Sequence, residues 1–143
     1  MKISTKGRYG LRALIDLAIS SSTGCVSLAD ISERQDLSLN YLESIFAYLK
    51  RAGLVIGMAG AQGGYILSRP AKEITLFDIL TVLEGDMSIY DHVGGETELR
   101  SFLNQNVWDV VDDRVNHVLT ETTLKDVLDE IEIVQLSGNC SEL

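Results

Sequence analysis

The chain is 143 residues long, with 45% hydrophobic and 23% charged residues. This length fits one domain with an extension, and the near-average composition excludes a fibrous or largely disordered protein. Nowhere do about 18 apolar residues run together, and the polar, basic N-terminus lacks the apolar core of a signal peptide, so we expect a cytoplasmic protein without a membrane partner.

The net charge of −9 is unevenly distributed along the chain. Residues 1–72 contain nine basic and five acidic residues and carry +4, whereas residues 73–143 contain three basic and 16 acidic residues and carry −13. An acidic protein is ordinarily a poor candidate for nucleic-acid binding, because phosphate contacts depend on Lys and Arg. The basic first half removes that objection for one part of the chain.

The first predicted elements are two helices joined by a polar segment. Apolar residues at helical spacing predict an amphipathic helix over about residues 5–21, and they are Leu11, Leu14, Ile15 and Ala18. Ser27 followed by Asp30 resembles a capping box, which predicts a short second helix reaching about Arg34. Residues 36–38 then form a turn.

A third helix begins after Ser38, whose hydroxyl can cap it, and ends near Gly53. Its apolar side chains face inward, and they are Leu42, Ile45, Phe46 and Leu49. Its polar side chains stay outside, and they are Asn40, Glu43, Ser44, Lys50 and Arg51. This helix therefore presents a continuous polar face to its surroundings.

A glycine-rich β-hairpin follows the third helix. The β-prone runs 54–56 and 65–67 bracket four glycines, which are Gly57, Gly60, Gly63 and Gly64. Pro70 closes the hairpin, and Thr75 with Asp78 predicts another capped helix that ends at Gly85.

Residues 86–97 predict a loop, and residues from about 98 to 119 predict a longer helix. One side of that helix is apolar, with Leu103, Val107, Val111, Val115 and Val118. This stripe exceeds what one small core needs, so we assign it to helix packing against a partner subunit in a homodimer. Thr123 and Asp126 predict a last short helix to about Glu130.

Together these elements predict a mainly α-helical fold with a small β-hairpin. The order is that of a winged helix-turn-helix over residues 1–85, followed by the loop 86–97, dimerisation helices over 98–130 and a tail over 131–143. In a helix-turn-helix the second helix enters the major groove of DNA, so we expect double-stranded DNA as the partner.

Several segments together resemble the Rrf2 family of bacterial transcription regulators. They are MKISTKGRYG, SLADISERQDLSLNYLESIF, RAGLV and GAQGGYIL. The resemblance is close over residues 1–85 and holds in outline over 97–130. It implies a homodimer on an inverted-repeat promoter site that regulates iron–sulfur assembly, cysteine metabolism or redox and nitrosative stress genes.

The resemblance and the helix pattern together select candidate DNA contacts. Asn40, Glu43 and Ser44 are base-reading candidates, because amides and carboxylates pair with the edges of adenine and cytosine. The remaining candidates are phosphate or helix-start contacts, and they are Lys6, Arg8, Tyr9, Ser38, Tyr41, Lys50 and Arg51. In the wing the candidates are Gly60, Gly63, Gly64 and Tyr65, where missing β-carbons favour a close backbone approach to DNA. Plain solvent exposure is the alternative for each exposed residue.

Two features depart from the family pattern. The family usually places Arg before the first wing glycine, whereas this chain has Ala59, so we expect weaker wing binding and less A·T preference. Cluster-binding relatives carry three closely spaced cysteines where residues 86–97 have none, so we expect no cluster and no other cofactor. The acidic residues and His92 of this loop are more typical of a solvated loop than of a metal site.

The two cysteines, Cys25 and Cys140, are too few for a disulfide framework or a CxxC metal site. Cys25 precedes the helix-turn-helix, where oxidation of its thiol would tilt the reading helices. A small buried apolar residue is the alternative for Cys25. His92 and His117 have the intrinsic pKa of a pH switch, although surface histidine is the alternative for both.

The leading hypothesis is a clusterless repressor, similar to the cysteine-metabolism branch of the Rrf2 family, that responds to a partner protein, a small metabolite or Cys25 oxidation. The alternative is a protein-interaction module that keeps the fold and binds DNA weakly. An enzyme is not expected, because the sequence shows no nucleophile–base pair, no phosphate loop followed by a helix and no recognisable carboxylate pair.

Overall fold

The computed structural model describes residues 2–91, 95 and 97–137, and it confirms the mainly helical fold with one β-hairpin. Its elements in chain order are α1 (Thr5–Ser20), α2 (Leu28–Gln35), α3 (Leu39–Arg51), β1 (Val55–Met58), β2 (Gly64–Leu67), α4 (Leu76–Glu84), α5 (Glu98–Leu103), α6 (Asp109–Glu121) and α7 (Leu124–Ser137). Within the described ranges, no helix combines the length and apolar character needed to span a membrane.

The starts of the helices follow the predicted caps. Ser27 Oγ accepts a hydrogen bond from the backbone of Asp30, and the Ser38 side chain caps α3 in the same way. At α4, Thr75 and Asp78 exchange side-chain and backbone hydrogen bonds in a complete capping box. These side chains satisfy amides that the helices themselves leave without partners.

The core lies between the first four helices and the hairpin. Its fully buried side chains include Leu14, Leu17, Ile31, Leu42, Ile45, Phe46, Leu49, Ile74 and Ile79. Leu124, at the start of α7, is also fully buried there, and its amide donates to Ile74 O at 2.8 Å. The chain therefore returns after residue 121 and completes the core of the winged domain.

One buried carboxylate connects α1 to α2. Asp16 is only 5% exposed, and Arg34 donates to both of its oxygens, from Nε at 3.1 Å and from Nη2 at 2.7 Å. Gln35 Nε2 donates a further hydrogen bond at 2.8 Å. Burial alone would raise the pKa of Asp16, but the hydrogen bonds from Arg34 and Gln35 and the charge of Arg34 outweigh it and hold that pKa below its usual value.

The predicted long helix is continuous from α5 to α6. A π-helical turn, Asn104–Trp108, joins the two, and the backbone stays helical through Asp109. We refer to residues 98–121 as the long helix. Tyr90 Oη donates to Asp109 Oδ1 at 2.6 Å, and the Ile89 amide donates to Asp112 Oδ1 at 2.9 Å. These bonds fix one side of the long helix to the segment that follows α4.

The predicted end of the last helix, near Glu130, is wrong. The helix α7 continues to Ser137, and Leu124, Leu128 and Ile131 keep its apolar side in register beyond the first two turns. No glycine or proline interrupts residues 124–137, so nothing local stops the helix there.

We predict that Asp16→Asn lowers the free energy of unfolding by about 2 kcal/mol near pH 7, because it weakens charge-assisted hydrogen bonds from Arg34. The folded pKa of Asp16 is below its unfolded value, so its stabilisation is present above the unfolded pKa and is lost as pH falls through the folded one. The difference in urea stability between the variant and the unaltered protein should therefore be constant above about pH 4 and should shrink as the pH falls further, through the folded pKa.

Asp113→Asn is the control for this prediction. Asp113 is exposed and makes no hydrogen bond or ion pair with the rest of the described chain, so its replacement should change stability little near pH 7. A stability difference for Asp16→Asn that is absent near pH 7, or that grows as the pH falls, would contradict the assigned network.

Candidate DNA-binding surface

The helix-turn-helix is formed by α2, a tight turn and α3. Asp36 adopts a left-handed conformation, with φ of 53°, which reverses the chain directly after α2. Arg12 Nη2 donates to the carbonyl of Gln35 at 2.9 Å and so satisfies an acceptor at the end of α2. The helix α1 therefore holds the reading unit through both Asp16 and Arg12.

The polar face of α3 is exposed as predicted. Asn40, Glu43 and Ser44 are all exposed, whereas the inward residues of α3 are fully buried. The side chains of these three residues make no hydrogen bond or ion pair to any other described residue. Their donors and acceptors are therefore free to pair with base edges.

Aromatic residues border the start of α3. The rings of Tyr9 and Tyr41 meet edge to face, with centroids 6.1 Å apart. They line an open cavity of about 440 Å³ with Ser38, which caps α3, and with Arg12. The predicted contacts Tyr9, Ser38 and Tyr41 thus lie together at one end of the reading helix.

The basic residues of the winged domain fall into two groups. Arg34 is paired with Asp16, and Arg69 lies 3.5 Å from Asp78, so their charges are partly neutralised. Lys6, Lys50 and Arg51 have no ion pair or hydrogen bond within residues 2–91, 95 and 97–137. Arg8 donates to the neutral Thr5 hydroxyl at 3.4 Å, and its guanidinium carbon lies 5.9 Å from the centroid of the Tyr9 ring. The predicted phosphate-binding residues thus belong to the cations of this domain that have no described carboxylate partner, as does Arg12, which donates to a backbone carbonyl.

The wing is attached to the segment before α2. Its strands are antiparallel, with Val55 opposite Leu67. Tyr65 exchanges two backbone hydrogen bonds with Val26, at 2.8 and 2.9 Å. The ring of Tyr65 packs on Phe46, with centroids 5.0 Å apart, so this side chain is a core contact that positions the wing.

The glycines of the wing have an internal role beside the predicted one. A β-carbon on Gly64 would lie 2.3 Å from the carbonyl oxygen of Val26, and one on Gly63 would lie 2.2 Å from that of Met58. Both positions require glycine for the hairpin itself. Gly60, at the tip, meets no neighbouring atom and remains a candidate for close approach to DNA.

Cys25 contacts the wing directly. It is half-buried, and its thiol donates to the carbonyl of Gln62 at 2.9 Å. Gln62, Gly63 and Asp30 line the same small cavity. A change in oxidation state at Cys25 would therefore act on the wing as well as on the start of α2.

His92 and Glu96, from the loop 86–97, and Cys140, from the tail, lie outside the described residues. Elsewhere in the described chain no three His, Cys, Asp or Glu side chains group in a way that suits a metal ion. His117 is exposed on α6, with Nε2 4.0 Å from Glu121 Oε1.

Arg12 and Tyr48 are absent from the predicted contacts, although both border the reading unit. Lys6 Nζ lies 3.4 Å from the centroid of the Tyr48 ring, and Arg51 Cζ lies 5.6 Å from it. The spacing of Tyr48 and Arg51, three residues apart on one helix, is the sequence signal for this contact.

Comparison with known proteins agrees with this geometry. The model of the Rrf2 family, described as iron-dependent transcriptional regulators, matches residues 3–130. The chain belongs to the Rrf2 family. The HTH-type transcriptional regulator IscR of Enterobacter sp. (strain 638) is 36% identical over 140 residues, which are 96% of this chain and 86% of that protein.

Two solved structures are also similar. CymR, the global cysteine regulator of B. subtilis, is 40% identical with a TM-score of 0.80, over 91% of this chain and 98% of that one. IscR of T. potens is 42% identical with a TM-score of 0.78, over 94% of this chain and 91% of that one. The predicted winged-helix fold and DNA-binding regulatory function are thereby confirmed, and the Rrf2 family is one of regulators and not of enzymes.

The family description raises the question of iron. Iron–sulfur clusters are held by closely spaced thiolates, and this Rrf2 chain has only Cys25 and Cys140, in distant segments. Cys25 donates to a backbone carbonyl of the wing. These residues do not fit a thiolate-bound cluster.

We predict that Arg51→Ala weakens binding to all duplex sequences alike and reduces the slope of log K against log salt by about one unit, because we expect Arg51 to contact a phosphate. Glu43→Ala should instead change sequence preference and leave the slope unaltered. Fluorescence anisotropy over a salt series, with several duplexes, measures both quantities.

Arg69→Ala is the control, because it removes a cation that is already near the Asp78 carboxylate, and its slope should match that of the unaltered protein. The assignment of Glu43 to base edges and of Arg51 to phosphates is wrong if Glu43→Ala alone lowers the salt slope, or if Arg51→Ala and Arg69→Ala lower it equally.

Proposed function

We propose that this Rrf2 protein is a cytoplasmic repressor that binds an inverted-repeat promoter site as a homodimer. One observation supports this proposal best. The same chain has a polar face on α3 that is free to contact DNA and an apolar face on the long helix that no other part of the described chain covers. Each chain offers one reading helix, and a two-fold dimer presents two of them to two half-sites.

The apolar face of the long helix supports the dimer. Val118 is 61% exposed and Val111 is 40% exposed, although both belong to the predicted stripe. Phe102 and Val110 add further exposed apolar surface. The other predicted interface residues, Leu103, Val107 and Val115, are half-buried in the single chain. Contiguous apolar surface of this kind is typical of an interaction site.

The contacts with DNA follow from the free groups on the surface. Asn40, Glu43 and Ser44 read base edges, and the unpaired cations bind the flanking phosphates. Gly60 lets the wing tip approach the backbone of DNA, while Ala59 adds no charge there. The wing then contributes less to affinity than α3 does.

Regulation in this proposal needs no cluster. The effector is a partner protein, a small metabolite or an oxidant of Cys25. The hydrogen bond from the Cys25 thiol to Gln62 supports the last of these, because a two-electron oxidant that adds oxygen to Sγ replaces the S–H donor with a larger polar group directly beside the wing.

We predict that Val111→Glu converts the dimer to monomers at micromolar concentration, because it places a charge in the apolar face of the long helix. Sedimentation equilibrium measures the mass. Asp113→Lys is the matched control, because it changes a charge on a different side of the same helix, and it should stay dimeric. The assignment fails if the unaltered protein is already monomeric, or if both variants dissociate equally.

A further inference from the structure

Tyr48 lies at the meeting point of α1 and α3. Its ring is 41% exposed and stands one turn before the end of α3. The ammonium of Lys6, from α1, lies 3.4 Å from the ring centroid, and the guanidinium carbon of Arg51, from α3, lies 5.6 Å from it. One exposed ring therefore contacts cations from two helices.

Neither cation has a competing partner. Within residues 2–91, 95 and 97–137, Lys6 and Arg51 make no ion pair or hydrogen bond, in contrast to Arg34 and Arg69. An aromatic face attracts a cation without neutralising it and without occupying its N–H donors in hydrogen bonds to acceptors. Both groups therefore retain full charge and donors for a phosphate.

We propose that Tyr48 is a positioning residue that holds Lys6 and Arg51 in the arrangement in which they bind DNA phosphates. The proposal rests on the DNA contacts proposed above. Long basic side chains lose rotamer freedom when they bind, and this loss lowers affinity. A ring that restricts both side chains before DNA arrives removes part of that loss.

The geometry assigns this role to the ring and not to the hydroxyl group. Both cations contact the aromatic face, and the Tyr48 hydroxyl forms no hydrogen bond with another described residue. Phenylalanine should therefore replace Tyr48 in this role, whereas leucine, which fills similar space without a π face, should not.

The test measures the affinity of the full chain for a random-sequence duplex of about 30 base pairs, because phosphate contacts are independent of sequence. Tyr48→Phe should bind within about twofold of the unaltered protein. Tyr48→Leu should bind about three- to tenfold more weakly, as expected when the rotamer freedom of one or two long basic side chains is lost only on binding. Tyr48→Gln, also without an aromatic ring, should agree with Tyr48→Leu.

A mutant cycle separates positioning from a general structural effect. In a Lys6→Met, Arg51→Met background, Tyr48→Leu should cause no further loss of affinity, because there is nothing left for the ring to position. The thermal midpoints of unfolding of Tyr48→Phe and Tyr48→Leu should lie within a few degrees of each other, because the side chain is exposed and only its cation–π contacts differ between the two variants.

Three results would overturn the role of Tyr48 while leaving the DNA-binding surface intact. The first is that neither Tyr48→Leu nor Tyr48→Gln changes the affinity for DNA. The second is that Tyr48→Phe lowers the affinity as much as Tyr48→Leu does. The third is that Tyr48→Leu lowers the affinity in the Lys6→Met, Arg51→Met background as much as it does in the unaltered protein. If the unaltered protein does not bind the duplex at low salt, the proposed phosphate contacts are themselves wrong, and the positioning role falls with them.

Discussion

The buried ion pair between Asp16 and Arg34 is the constraint on which the reading unit depends. A carboxylate that is 5% exposed is unfavourable unless its oxygens are hydrogen-bonded, and here Arg34 and Gln35, both near the end of α2, supply those bonds. The buried oxygens of Asp16 must keep these hydrogen bonds, and this requirement fixes the position of α2 against α1 more narrowly than apolar packing alone would. Arg12 adds a hydrogen bond to Gln35 O, and the left-handed Asp36 then directs the chain into α3.

This arrangement also explains how a chain with a net charge of −9 presents a surface suited to DNA. Arg34 and Arg69 interact with carboxylates and maintain the fold, whereas Lys6, Lys50 and Arg51 remain unpaired within the described residues. Sixteen of the 21 acidic residues follow residue 72. We expect them to repel DNA from the other faces and so restrict the orientation in which it approaches.

Local signals in the sequence were sufficient to predict the caps, the helix-turn-helix and the exposed face of α3. Ser27, Ser38 and Thr75 act through neighbours three residues away, so their pattern is visible without tertiary structure. The ion pair of Asp16 joins residues 18 apart, and the bridge between Val26 and Tyr65 joins residues 39 apart. Such pairings depend on how helices and hairpin pack, which periodicity does not specify. The same limit applies to Gly63 and Gly64, whose need for glycine arises from backbone approach inside the hairpin.

In the proposed dimer, two copies of α3 read two symmetric half-sites. This arrangement can be tested by selecting bound duplexes from a random pool and then footprinting the selected duplexes with hydroxyl radicals. The selected duplexes should share an inverted repeat whose half-site centres lie about one helical turn, or a whole multiple of a turn, apart, and protection should be symmetric about the dyad. Enrichment of a single asymmetric site, or protection confined to one half-site at saturating protein, would contradict it.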